Sequence, residues 1–100
     1  MIIRIFDTAI QPDDIEQAKT LFREQVRPVF ERFEGCHGID MHIGIDEHSK
    51  DLVEVAAISQ WESMAAIEQA TTLPAYDKSL EQLRMLFQQA PIVRHFEKVE

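Results

Sequence analysis

The period of the apolar positions changes along the chain, and each change marks an element. From Ile2 to Ile10 the residues are mostly β-branched or aromatic, which predicts a strand. Ile3, Ile5 and Ala9 lie on one side of it and Ile2, Phe6 and Ile10 on the other, so both faces are expected to be covered. Gln11-Pro12-Asp13-Asp14 breaks the strand, and Asp13 with Glu16 forms a capping-box-like helix start. Ile15, Ala18, Leu21, Phe22, Val26, Val29, Phe30 and Phe33 follow at spacings of three and four, one apolar stripe of a helix. Pro28 should kink or split that helix, since it lacks an N–H and its ring meets the preceding turn. Glu34-Gly35-Cys36-His37-Gly38 ends it, with Gly35 suited to a left-handed cap.

Ile39, Met41, Ile43 and Ile45 then alternate with Asp40, His42, Gly44 and Asp46, which predicts a second strand. The polar turn Glu47-His48-Ser49-Lys50-Asp51 leads to a third strand, Leu52 to Gln60, and the close spacing makes the two a hairpin. A second helical stretch runs from about Ser63 to Gln89, capped by Ser63 or by a competing box at Ser59 and Glu62. Thr71-Thr72-Leu73-Pro74 interrupts it, and helix resumes at Pro74. Ala90-Pro91 stops it, and Ile92 to Val99 forms the last strand.

The order β-α-β-β-α-β predicts an α+β, ferredoxin-like sandwich over residues 1–100: one antiparallel four-stranded sheet with both helices on one face. Two helices cover only one face of such a sheet. The first and third strands are apolar on both sides, and a bare patch of that kind exceeds what monomers usually tolerate. The expectation is a homodimer joined through the open sheet face and closing into an α+β barrel.

Composition narrows the partners. The chain has 100 residues, enough for one core, and a domain of this size buries only roughly 60–70% of the surface of its unfolded chain. Ten Lys and Arg against 18 Asp and Glu give a net charge of −8, with the basic residues scattered among carboxylates. Nucleic acid and anionic membrane are therefore poor partners. Cys36 is the single cysteine, so no intrachain disulfide forms. With no signal-like N-terminus and no apolar run long enough for a span, a cytoplasmic protein is expected.

Several groups of residues invite a chemical reading. Gly35-Cys36-His37-Gly38 fits a GxxG pattern, but between a helix and a strand it reads as a turn. Cys36 and His37 are neighbours in sequence with no third group to orient them, which makes a poor nucleophile pair. His37, His42, His48, Asp40 and Asp46 resemble a metal cluster, yet their spacings match no ligand signature, so no metal is expected. His42 is placed mid-strand, where an imidazole serves as a base near neutral pH. Asp7 is a carboxylate in a strand otherwise built of apolar residues and Arg4. It is either a polar group in a pocket or a strand-end residue facing water or an arginine. Trp61 and Tyr76 bracket the first half of the second helical stretch, as packing anchors or as walls for a flat ligand. Arg94 on the last strand could clamp an anion or pair with an acid.

The stretches Arg27-Pro28-Val29-Phe30-Glu31-Arg32-Phe33-Glu34-Gly35-Cys36-His37-Gly38 and Gln60-Trp61-Glu62-Ser63-Met64-Ala65-Ala66-Ile67 carry a resemblance. In them, and in the order and length of its elements, the chain resembles the antibiotic biosynthesis monooxygenase family of dimeric α+β barrels. The resemblance implies a dimer of ferredoxin-like protomers. Some members oxidise quinols or aromatic polyketides with O₂ and neither metal nor flavin, others degrade haem, and many have no known activity. Asp7 stands where haem-degrading members carry an asparagine, and no histidine occurs between His48 and His95, so haem does not suit this chain. Trp61 resembles the family's pocket tryptophan, and Tyr76, Asp7 and Arg94 match its other pocket residues loosely.

The expected function is a cofactor-independent monooxygenase that oxidises a quinol or phenolic aromatic with O₂. Asp7 or His42 would be the base, Trp61 and Tyr76 the walls, and Arg94 an aid to the anion. The alternative is a non-catalytic small-molecule-binding or stress-related dimer using the same pocket. A third class, a nucleic-acid or metal-chaperone module, lacks both RNP-type aromatic strands and a Cys-x-x-Cys loop.

Overall fold

A computed structural model describes residues 1–47 and 51–100. Four strands, β1 (Ile2–Ile10), β2 (Cys36–Ile43), β3 (Val53–Trp61) and β4 (Ile92–Glu97), form one antiparallel sheet in the order β2-β3-β1-β4. Helical segments fill the two crossovers: α1 (Ile15–Leu21) and α2 (Arg27–Phe30) in the first, α3 (Met64–Thr71) and α4 (Pro74–Arg84) in the second. This is the ferredoxin-like arrangement that the order of elements predicts. Among the described residues no helix is long and apolar enough to cross a membrane. The polar turn expected at 47–51 falls largely on residues 48–50, outside the described residues, so it and His48 have no structural account.

Pro28 does not break the first helical stretch; the chain widens ahead of it. Residues Phe22–Val26 form a π turn between α1 and α2, and the Arg27 N–H reaches back five residues to the Phe22 carbonyl. A wider turn relieves the crowding that a proline ring imposes on the residues before it. Ordinary pairing resumes when the Glu31 N–H donates to the Arg27 carbonyl at 3.0 Å. The same turn buries Phe22 and Val26 against the sheet.

The second stretch divides as its sequence predicts. Ser63 is the N-cap of α3, its Oγ accepting from the Ala66 N–H at 3.1 Å. Pro74 opens α4 at a position where the missing N–H costs nothing. Gly35 takes φ +82°, and a Cβ there would lie 2.6 Å from the Ala66 Cβ. Glycine is thus required twice, by the backbone angle and by the approach of α3.

The core lies between the sheet and the helical layer. Phe22, Val26, Phe30 and Phe33 meet Ile67, Tyr76, Leu80 and Leu83 over Ile10, Ile39, Val55 and Trp61. The other sheet face carries Ile3, Ile5, Ala56, Ile58 and Phe96, because strand side chains alternate. Every residue of β4 is exposed, Phe96 to 46% and Ile92 to 55%.

Candidate functional site

A cavity opens on the covered face, between the middle of the sheet and the helices. Phe6 and Thr8 of β1, Ile39 and Met41 of β2, and Val55, Ala57 and Ser59 of β3 make its floor. Phe22, Val26 and Phe30 wall one side, and Tyr76, Leu80, Leu83 and Phe87 the other. The space is about 500 Å³ counted out to its mouth, but the centre of a water molecule can reach only about 30 Å³ of it. That is room for one or two waters. A ring-sized ligand would have to displace side chains; Phe87, whose ring sits 5.7 Å from that of Phe6, is beyond the end of α4 and half-buried.

One end of this cavity is polar, and strand register explains why. Arg4 stands opposite Ser59 on one side and His95 on the other, and Ser59 stands opposite Ile39. Directly opposed residues share a face with Cβ atoms about 4.5–5.5 Å apart. Ser59, Arg4 and His95 therefore form a single row across the sheet, under Tyr76 of α4. Arg4 Nη2 donates to the Tyr76 hydroxyl at 3.0 Å, and Arg4 Nη1 meets His95 Nε2 at 2.7 Å. Since a guanidinium only donates, His95 accepts through Nε2 and carries its proton on Nδ1. Burial, and after it the Arg4 charge, push the His95 pKa below the usual imidazole value, which keeps the ring neutral at pH 7.

Behind the row, the Trp61 Nε1–H donates to Ser59 Oγ at 2.8 Å. Trp61 is fully buried, stacked against Phe33 at 6.3 Å and edge-on to Phe30 at 6.3 Å. Phe30 lies 5.5 Å from Tyr76, so the aromatic cluster runs from Trp61 to the polar row. Thr8 closes the other end, its hydroxyl donating to the Gln89 carbonyl at 2.8 Å.

The residues singled out from the sequence fall on both sides of the sheet. Tyr76 lines the cavity, and Trp61 packs behind it and orients Ser59. Asp7 alternates with Phe6 and Thr8 and so faces the other way, as does His42 beside Met41. Arg94, one residue from His95, is on that far side too, its guanidinium 5.9 Å from the Phe96 ring. Asp7, His42 and Arg94 are thus turned from the cavity of their own chain. Among the described residues no carboxylate lines the cavity.

The remaining candidates also resolve. His37 Nε2 lies 3.4 Å from Glu62, and Asp40 pairs with Arg27 at 3.9 Å, both at the surface. Burial raises the Cys36 pKa, which leaves a protonated thiol near the Gly38 carbonyl. Sequence reasoning missed Arg4, Ser59 and His95. The available signal was Arg4, a lone charge on the otherwise apolar face of Ile2, Phe6 and Ile10.

Sheet order, crossovers and the cavity under the helices define a ferredoxin-like α+β domain with a site on its covered face. Residues 1–82 match the antibiotic biosynthesis monooxygenase family, and the chain belongs to that family. No curated protein matches the sequence closely enough to count as a relative. Solved structures share the fold throughout. A Bordetella bronchiseptica protein bearing the antibiotic biosynthesis monooxygenase name superposes with TM-score 0.79 at 22% identity, over 99% of this chain and 97% of its own. One from Nitrosomonas europaea with the same name gives 0.79 at 11% identity over the whole of both chains. SnoaB of Streptomyces nogalater, a cofactor-independent oxygenase, gives 0.72 at 19% identity over 99% of this chain and 93% of its own.

Proposed function

We propose that the chain is a cofactor-independent monooxygenase that oxidises a quinol or another phenolic aromatic with O₂, and that it works as a homodimer. The observation that carries this reading is the cavity: walled by Phe6, Phe22, Phe30 and Phe87 and polar only at its ends. An apolar enclosure with few, grouped polar contacts suits a flat aromatic ring with a hydroxyl at one edge, once side chains such as Phe87 swing aside to make room for it. Membership of the family and the fold shared with SnoaB support the reaction class.

The chemistry asks little of the protein. An ionised phenol gives an electron to O₂, the two radicals combine to form a carbon–oxygen bond, and the resulting peroxide loses water. A hydroquinone and O₂ yield a hydroxyquinone and water in this way: one oxygen atom enters the ring, the other leaves as water, and the substrate supplies all four electrons. The chain's residues hold the ring, keep water out and stabilise the anion. Tyr76 and Arg4 are the binding residues of this reading. The open face, with Ile3, Ile5, Ile58 and Phe96, is covered by the second copy, which places Asp7, His42 and Arg94 inside the dimer.

Oxygen uptake with a panel of hydroquinones and naphthols tests the activity. Turnover that falls at least about tenfold in Arg4→Gln supports it. No uptake with any of them leaves the second reading, a binding protein without catalysis, which is favoured by the absence of a carboxylate among the described residues of the lining.

A further inference from the structure

A second recess lies beside the cavity, where the first helical stretch runs along the edge strand β2. Lys19, Arg23 and Arg27 line it from the helical side, Met41 and Ile43 from β2, and Phe22 at the junction. The three cations follow one another at steps of four residues. Such a step overshoots one turn of an α-helix and falls short of one π turn, so the π turn at Phe22–Val26 cancels the drift and keeps the cations in line. The chain has a net charge of −8, yet among the described residues no carboxylate lines this recess. Lys19 meets Glu16 at 3.1 Å and Arg27 meets Asp40 at 3.9 Å, each pair involving an exposed acid outside the lining. Surface pairs of that kind are worth little and give way to a better placed anion. Arg23 is exposed and has no ion pair among the described residues. The centre of a water molecule can reach about 250 Å³ of the recess, against about 30 Å³ of the cavity.

The recess and the cavity share a wall, because Phe22 and Met41 line both. Strand register makes their floors continuous: Phe6, Ala57 and Met41 form one row across the sheet, and Thr8, Val55 and Ile43 the next. The Arg27 guanidinium lies 5.0 Å from the Phe22 ring, on the wall itself. Met41 is half-buried and unbranched, a side chain that changes rotamer at low cost. We propose that the recess is a carboxylate subsite continuous with the cavity, and that the substrate is an aromatic acid. Its phenolic ring lies under the helices, and its carboxylate passes Met41 to Lys19, Arg23 and Arg27. The inference rests on the phenolic reading above and narrows it. A guanidinium fork matches the two oxygens of a carboxylate, and hydrogen bonds between two ionised groups are the stronger ones. A row of cations on an otherwise acidic surface also marks the one flank of the cavity that attracts an anion. An arm that leaves the cavity through this flank adds nothing to the volume the ring must find inside it.

The test uses 2,5-dihydroxyphenylacetate and its homologue with one more CH₂ in the arm, each against its methyl ester. Affinities are read by titration calorimetry without oxygen. At low salt at least one acid should bind about tenfold or more tightly than its ester, and the ratio should shrink at about 0.5 M salt. Arg23→Gln should cut the ratio to about threefold, and Lys19→Gln with Arg23→Gln to near one. Circular dichroism matching that of the native protein shows that these exposed or half-exposed changes leave the fold intact. Arg4→Gln should keep the ratio, which separates the subsite from the polar row. Acids that bind no more tightly than their esters, or no binding by any of the four, overturn the subsite. A preference that survives the double substitution, or that is lost in Arg4→Gln instead, overturns it too. A preference lost in the double variant, with no oxygen uptake from any of the compounds, supports the subsite while the monooxygenase reading falls. Oxygen uptake with equal kcat/KM for acid and ester overturns the subsite while the activity stands.

Discussion

The two faces of the sheet are built from the same strands, often from adjacent residues, yet they do different work. On the covered face Phe6, Thr8, Met41, Val55 and Ala57 meet helical side chains, and the charge of Arg4 sits at the edge in a row of hydrogen bonds. On the open face Ile3, Ile5, Ala56 and Ile58 are mixed with Asp7, Asp40, His42, Glu54 and Arg94. On the first face Thr8, Ile39, Val55, Ser59 and Trp61 are buried within one chain and Phe6, Met41 and Ala57 half-buried; on the second Ile3, Ile5, Ala56 and Ile58 are half-buried, and β4 is exposed throughout. The difference teaches that the fold and the cavity depend on one face, and leaves the other for the proposed second copy.

The largest test of that division is Trp61→Ala. Removing a fully buried ring from the covered face should cost about 3–5 kcal/mol in denaturant unfolding. Turnover measured on the remaining folded protein should fall as well, since Ser59 then loses the donor that orients it. Ile5→Lys, between Ile58 and Arg94 on the open face, should act on assembly instead. A lysine buried there without a partner costs several kcal/mol in a dimer and little in a monomer. Sedimentation should shift from dimer to monomer while the circular dichroism of the fold persists. A native protein that sediments as a monomer at micromolar concentration would break the comparison outright.

Smaller effects lie at the margins of the covered face. Gly35→Ala meets the Ala66 Cβ and forces a residue with a side chain to φ +82°. The cost should be about 1–3 kcal/mol, read from the denaturation midpoint. The smallest concerns His95, whose pKa in the folded chain lies below the unfolded value of about 6.5. The unfolded chain therefore takes up the proton first. Stability should be full above about pH 6.5, decline as the pH falls toward the folded pKa, and level off beneath it. His95→Asn should flatten that step in a pH series of urea melts. An unchanged step would assign it to another group.

The elements themselves were legible in the sequence because each rests on local chemistry. Alternation marked β2 and β3, Ser63 and Pro74 marked the starts of α3 and α4, and Gly35 marked the turn that ends the first helical stretch. Boundaries moved by a few residues: β2 begins at Cys36 rather than Ile39, through a bulge between Cys36 and Gly38. The effect of Pro28 was read as a kink or break and emerged as a π turn, because the packing of Phe22 and Val26 holds the helix together across it.

The site was less legible, and the reason is register. Asp7 and Arg4 share β1, and alternation alone sets them on opposite faces. Which face receives the helices depends on how the crossovers pack, which no local pattern in β1 states. The row of Ser59, Arg4 and His95 joins residues up to 91 positions apart, through strand pairings that are not written in any single segment. Sequence by itself determined the succession of strands and helices, the need to cover two apolar faces, and the acidic surface. Tertiary structure alone decided which polar side chains meet, since hydrogen bonds across a sheet depend on long-range register and side-chain period two turns every one-residue choice into a choice of face.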